Sequence, residues 1–219
     1  DARAMIGECM ILNNEAIGTF CEERDLPVIY RNQSPPNSDL NSDEITSYPE
    51  GIARKFQKVY RLNPGVMSTN VENHFGLGIE GYAQASSPIR RFIDLVCQRQ
   101  LKSFKQTGKA AYGESEIVQL LGELQPLLDD VQYLQREAER YWTLVYFDRH
   151  DDKAFEATVL DLNNADGTHA DIFIDELAFK TTCRFREDVE VGQRVTVCVN
   201  YADPHRDHVS LQGEQLAGR

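Results

Sequence analysis

Two adjacent arginines, Arg90 and Arg91, follow directly on Ser86-Ser87-Pro88-Ile89 and open a stretch of helical periodicity. Ser87 reads as an N-cap and Pro88 as the first helical residue: serine satisfies an orphan backbone N–H, and proline has none to lose there. Both guanidinium groups then fall in the first turn, where the helix dipole disfavours cations by about 0.3–1 kcal/mol. A bound phosphate would offset that cost, because free N–H groups at a helix start and two guanidinium forks together make an anion site. The chemistry on offer is stabilisation of negative charge at a phosphoryl group. An ordinary surface turn, with Arg90 paired to Asp94 four residues on, uses the same residues. Residue types and spacing leave these two readings level.

Other polar residues weigh less. Glu8 sits among the apolar residues of 2–24, where Met5, Ile6, Cys9, Met10, Ile11, Ile17 and Phe20 recur at spacings of three and four. That spacing predicts an amphipathic helix with Glu8 on its flank. Asp39, Asp43 and Glu44 lie in a polar, proline-containing tract from Gln33 to Glu50, which reads as a solvated loop. Asp203, His205, Asp207 and His208 resemble a metal cluster, yet DPHRDH falls between two strands and is better read as a hairpin turn. Lys55, Lys58 and Arg61, on a short helix over 51–61, line a groove for RNA or simply keep the helix soluble, and the second reading is the preferred one. His74 is level between a structural hydrogen-bond partner and a catalyst.

Further along, a helix over Phe92–Lys105 turns Leu95, Val96, Leu101 and Phe104 inward. A helix from Glu114 is expected to stop near Pro126, which can start the next one through about Arg149. After His150 the period changes. FEATVLDL, ADIFIDEL, TCRFRE, RVTVCVNY and HVSLQ predict five short strands, which fit a small Greek-key barrel of OB type. The fold class is therefore α+β, a mainly helical part over 1–150 followed by a five-stranded OB-fold β-barrel over 151–219.

Composition bounds the possibilities. The 219 residues, 41% hydrophobic and 26% charged, are those of a globular protein with room for a core. No apolar run of about 18 residues exists, so no membrane span is expected. A chain opening at Asp1 rather than Met reads as a fragment. The five cysteines are odd in number and scattered, which favours reduced, mostly buried thiols in a reducing compartment over disulfides or a zinc site. The net charge of −12 is the wrong sign for a nucleic-acid binder, and leaves room only for a locally basic channel. The β half is itself acidic, with seven Lys and Arg against 13 Asp and Glu from Asp152 onward, so single strands would be held there by aromatic stacking. Phe155, Phe173, Phe179 and Phe185 are the candidates, some of them necessarily core. A protein-docking barrel is the alternative.

SSPIRRF followed by IDL, with Tyr82 before it and HFGLG upstream, resembles the signature near the end of the catalytic domain of the RNase II/RNase R family of 3′-to-5′ exoribonucleases. The family form has threonine at the Ser86 position and often tyrosine at the Phe92 position. Gln84, where many members have histidine, resembles the cyanobacterial and plastid branch. GECMILNN followed by LPVIYR resembles the family's helix and following strand, which implies that Glu8 lies beside the RNA path. AERYW resembles the family's AER tripeptide, which implies that Glu139 lies near the signature arginine. VEVGQRVTVCV, then Asp203 and VSL, resembles the S1-type RNA-binding OB fold that follows the catalytic domain in this family.

The resemblance implies that residues 1–150 are the C-terminal portion of an RNB catalytic domain and 151–219 an S1-type domain. It implies Arg90 as the catalytic residue, with Glu8, Tyr82, Ser87, Arg91, Glu139 and Phe173 binding single-stranded RNA. Family members use a divalent metal, usually Mg²⁺, held by aspartates upstream of the signature. No such cluster is seen here, so the ligands are expected outside this chain, in the missing N-terminal part of the same enzyme or in another chain. Alone, this chain is expected to be inactive. A non-catalytic RNA- or protein-binding adaptor is the alternative. The expected location is the cytoplasm, or the plastid stroma for a plant-type relative.

Overall fold

The structure is a computed structural model and describes residues 2–215. In chain order the elements are α1 (Ala2–Glu22), β1 (Tyr30–Asn32), α2 (Asp43–Thr46), α3 (Ile52–Tyr60), β2 (Val66–Ser68), β3 (Asn73–His74), β4 (Ile79–Glu80), α4 (Phe92–Thr107), α5 (Glu114–Asp148), β5 (Ala154–Leu162), β6 (His169–Ile174), β7 (Phe179–Phe185), β8 (Arg194–Asp203) and β9 (His208–Gln215). They divide into two compact units, Asp1–Pro36 with Leu62–Asp130, and Asn37–Arg61 with Val131–Arg219.

In the first unit, Cys21, Leu26, Val28, Tyr30, Ala83, Ala85 and Cys97 form one buried cluster, with Ile17, Phe20, Leu101 and Phe104 packed on it. A second cluster joins Ile29, Ile93, Val96 and Ile117 to Leu120, Leu121, Leu124 and Leu128 of α5. Helix α1 passes so near the chain before Tyr82 that a Cβ at Gly18 would lie 1.5 Å from the Gly81 carbonyl oxygen. Only glycine allows that approach. The strand expected from Leu26 to Arg31 is shorter, beginning at Tyr30. Proline at 27 has no N–H to give a ladder, and Leu26 and Val28 are buried as extended chain without one.

Helix α5 also differs from expectation. It runs unbroken for 35 residues with Pro126 inside it. A proline ring in a helix meets the carbonyl four residues back and removes one hydrogen bond. Here that residue is Gly122, and apolar side chains on both sides of the interruption are committed to cores: Leu120, Leu121, Leu124 and Leu128 in the first unit, Leu144 and Phe147 in the second. Burial on that scale outweighs one lost bond.

The second unit is built on a closed barrel in the order β5-β6-β7-β9-β8. All its pairs are antiparallel except β7 with β9, where Arg184 opposes Gln212 and Phe185 opposes Gly213. The expected five-stranded OB-type barrel is present. Alternation decides which side chains fill it: Ala170, Ile172 and Ile174 of β6 and Val195, Val197 and Val199 of β8 point inward. Phe155 and Phe185 are core and Phe179 packs against it, whereas Phe173 has the outward parity of β6 and stays partly exposed. The α2–α3 segment is fastened to β5 by Gln57, which donates to Asp161 Oδ2 at 3.0 Å.

All five cysteines are free; Cys21, Cys97 and Cys183 are buried, and Cys9 and Cys198 are exposed. Burial pushes the Cys183 thiol up to about 12. A thiolate reagent at pH 8 is therefore expected to label two thiols at once and the other three only on unfolding, counted by mass spectrometry. A third fast thiol would contradict this packing.

Candidate functional site

The signature arginines sit on a link that is buried at its start and exposed at its end. Tyr82 to Ala85 is held from three sides. Asn14 of α1, itself buried, donates from Nδ2 to the Tyr82 hydroxyl at 2.9 Å and accepts the Ala85 N–H at 3.1 Å. The Arg31 N–H donates to the Tyr82 carbonyl at 2.8 Å. Gln98 Nε2 of α4 donates to the Ala85 carbonyl at 2.9 Å. The chain then leaves the core at Ser86.

Helix α4 starts four residues later than the sequence pattern suggests. Pro88-Ile89-Arg90 is a separate turn, in which the Arg90 and Arg91 N–H groups both donate to the Ser87 carbonyl, at 3.2 and 3.0 Å. Arg91, with extended φ −122° and ψ 115°, is the N-cap, and Phe92 is the first helical residue. Ser87 is thus not the cap. The physical reason is Asp94. Fully buried at the third helical position, its Oδ2 reaches back to accept the Ser87 N–H at 2.7 Å and an Arg91 guanidinium N–H at 2.7 Å. This is the logic of a capping box, thrown across a longer turn. Arg91 also donates to Ser86 Oγ at 3.2 Å.

The two arginines therefore have different tasks. Arg91 pairs with Asp94, the role the surface-turn reading gave to Arg90. Arg90 is exposed, and among the described residues its guanidinium has no hydrogen bond or ion pair. Asp94 neutralises Arg91, so the net positive charge of the turn is carried by Arg90. One free guanidinium on a backbone fixed from below can meet a phosphate through its planar fork.

The remaining predicted residues fall as follows. Glu8 is exposed in the first half of α1, in the same unit as Tyr82, Ser87, Arg90 and Arg91. Tyr82 is 8% exposed and its hydroxyl is already engaged by Asn14, so it shapes the link from inside. Glu139 and Phe173 belong to the second unit; the Glu139 carboxylate accepts from Gln135 at 2.8 Å. His74 stacks edge-on to Tyr82 at 5.6 Å, and burial, helped by the nearby Arg31, holds it below the usual histidine range. Both causes favour its neutral form. In the polar loop Glu44 pairs with Arg61 at 2.6 Å. In DPHRDH the Asp203 carboxylate caps a single turn by accepting the His205 and Arg206 N–H groups, so this is the expected hairpin. Among the described residues no three His, Cys, Asp or Glu side chains converge in a way that fits a metal ion.

Asn14 escaped the sequence reading, as did the anchoring role of Asp94. A signal for Asn14 exists: it lies four residues before Gly18 and seven before Cys21, on the single stripe of α1 that is buried. A polar residue in an inward stripe needs a partner.

Comparison with known proteins bears on this arrangement. The RNB domain model matches residues 1–107, and the model of the RNase II-type exonuclease C-terminal S1 domain matches 153–213. The chain belongs to the RNB, or RNase II/RNase R, family. An uncharacterized ribonuclease of Synechocystis sp. is 30% identical over 96% of this chain, which spans 32% of that protein. The chloroplastic/mitochondrial ribonuclease II of Arabidopsis thaliana is 30% identical over 94% of the chain, which spans 26% of it. The chain thus covers about a third or less of these relatives. Among solved structures, the RNase R of Mycoplasma genitalium in complex with ribose-methylated single-stranded RNA superposes with a TM-score of 0.71 at 17% identity, over 96% of this chain and 41% of that one. Yeast Ssd1, described as a pseudonuclease, superposes with a TM-score of 0.57 at 16% identity over 87% of this chain and 27% of its own. Likeness at such identities establishes the RNB fold and nothing about chemistry. No helix among the described residues is long and apolar enough to cross a membrane.

Proposed function

We propose that this chain is part of a processive, divalent-metal-dependent 3′-to-5′ exoribonuclease that hydrolyses single-stranded RNA to nucleoside 5′-monophosphates. Residues 1–150 act as the C-terminal portion of the catalytic domain and 151–219 as its S1-type RNA-binding domain. The observation that carries this reading is the signature turn, with Arg90 free beside an Arg91 that Asp94 ties down. Arg90 stabilises charge growing on the phosphate under attack, as preorganised donors do. Arg91, Ser87 and Tyr82 set the shape of the phosphate site, Glu8 and Glu139 border the RNA, and Phe173 offers a ring for a base. Mg²⁺ is held by residues outside this chain, in the rest of the same polypeptide or in a partner. The cytoplasm, or the plastid stroma in a plant-type relative, is where such an enzyme would act.

A second reading is a non-catalytic RNA- or protein-binding adaptor, favoured by a sequence in which no cluster of aspartates that could hold the metal is seen. One assay separates them. The complete natural polypeptide, given Mg²⁺ and a 5′-labelled single strand, is expected to shorten the RNA from its 3′ end and to stop when EDTA is added. The 219-residue chain is expected to bind the strand and leave it whole. Failure of the complete polypeptide to shorten RNA supports the adaptor, and shortening by the chain alone overturns the placement of the metal ligands.

A further inference from the structure

In a chain of net charge −12, residues 51–61 carry four cations and no acid. Three of the four are occupied in holding the segment together. Arg54 donates to the Tyr48 and Thr46 carbonyls at 2.8 and 2.9 Å, Lys58 to Asn41 Oδ1 at 3.0 Å, and Arg61 to Glu44. Lys55 is exposed and has no partner among the described residues. Arg54 also pairs with Glu50 and Arg61 with Glu44, so the segment is a fixed platform on the outside of the barrel whose unneutralised cations are Lys55 and Lys58.

Its aromatic residues are arranged on that platform. Phe56 and Tyr60, four apart on α3, lie with ring centroids 6.2 Å apart and planes 23° from parallel. Lys180 Nζ sits 4.5 Å from the centre of the Phe56 ring and pairs with Asp171 at 2.7 Å. Lys180 of β7 is in turn the cross-strand partner of Phe173 on β6. Phe173, Lys180, Phe56 and Tyr60 are thus successive neighbours within the second unit, rings with one ion-paired cation among them. Tyr60 is the most open of these rings, with 75% of its surface in solvent. A ring beside a second ring offers a face on which a base can stack, and rings interleaved with cations are what single-strand binding surfaces use.

We propose that Tyr60, backed by Phe56, is a base-stacking shelf that carries single-stranded RNA outward from Phe173 along α3. This rests on the reading of the chain as an RNA-handling protein, and its test separates the two. The probe is a 12-nucleotide oligoadenylate containing one 2-aminopurine, titrated with the protein at low salt and followed by fluorescence and anisotropy. Tyr60→Ala is expected to weaken binding about tenfold and to remove part of the 2-aminopurine quenching, whereas Tyr60→Phe and Tyr60→Trp retain both. Val59→Ser, at an exposed neighbour on the same helix, is expected to change neither. Because Tyr60 is mostly exposed, each variant should keep the parent circular dichroism. If the parent binds RNA and Tyr60→Ala binds it equally well, the shelf is overturned while the RNA reading stands; a face kept for protein docking gives that result. If Val59→Ser weakens binding as much as Tyr60→Ala, stacking is overturned in favour of general apolar contact. If the parent binds no RNA, both fall.

Discussion

Arg90→Ala in the complete enzyme is expected to lower turnover by about 10²- to 10³-fold while leaving the affinity for RNA nearly unchanged. The expectation follows from where the side chain stands. Among the described residues its guanidinium makes no hydrogen bond or ion pair, and the turn beneath it is held by Arg91, Asp94 and Ser87. Removing it leaves the scaffold intact. On the proposed reading, what goes is a donor set for a phosphate, whose value grows as negative charge accumulates in the transition state. Single-turnover rates set against equilibrium binding make the comparison. Equal losses in rate and affinity would mean that Arg90 grips RNA uniformly and has no special part in the chemical step. Arg90→Lys should fall between the two, since it keeps the charge but loses the fork.

The second large effect is on stability. Asp94→Ala should lower the free energy of unfolding by about 3 kcal/mol, because removing one partner of a buried pair strands the other. The stranded groups here are the Ser87 N–H and one arm of Arg91. Asp94→Asn keeps an oxygen that can accept the Ser87 N–H and should cost clearly less. Urea melts of the three proteins, compared at equal slope, test the order. A loss below about 1 kcal/mol for the alanine variant would show that the turn is held elsewhere.

The sequence made the barrel readable for a definite reason. Two-residue alternation in HADIFI names the inward and outward residues together, and that parity is what separates Phe173 from the core rings. The helix start was less readable. Serine followed by proline is a strong local signal, yet the cap was decided by a buried carboxylate seven residues on from Ser87, an interaction that propensity does not encode. Pro126 misled in the same way, because the breaker is local and the two cores that override it are not. Arg90 itself was legible as a candidate from its neighbours. Its freedom was not, since freedom depends on which arginine Asp94 chooses.

The same choice has an entropic side. With the backbone from Tyr82 to Arg91 already tied to Asn14, Gln98 and Asp94, a phosphate that docks on this turn has no loop to order. Ordering free backbone would cost about 1–2 kcal/mol for every residue fixed, whereas the rotors of one arginine cost about 2 kcal/mol in all. On the proposed exonuclease reading, an enzyme that advances one nucleotide at a time would meet that cost afresh at each step. Confining it to a single side chain would keep every phosphate, from first to last, equally easy to take up and to let go.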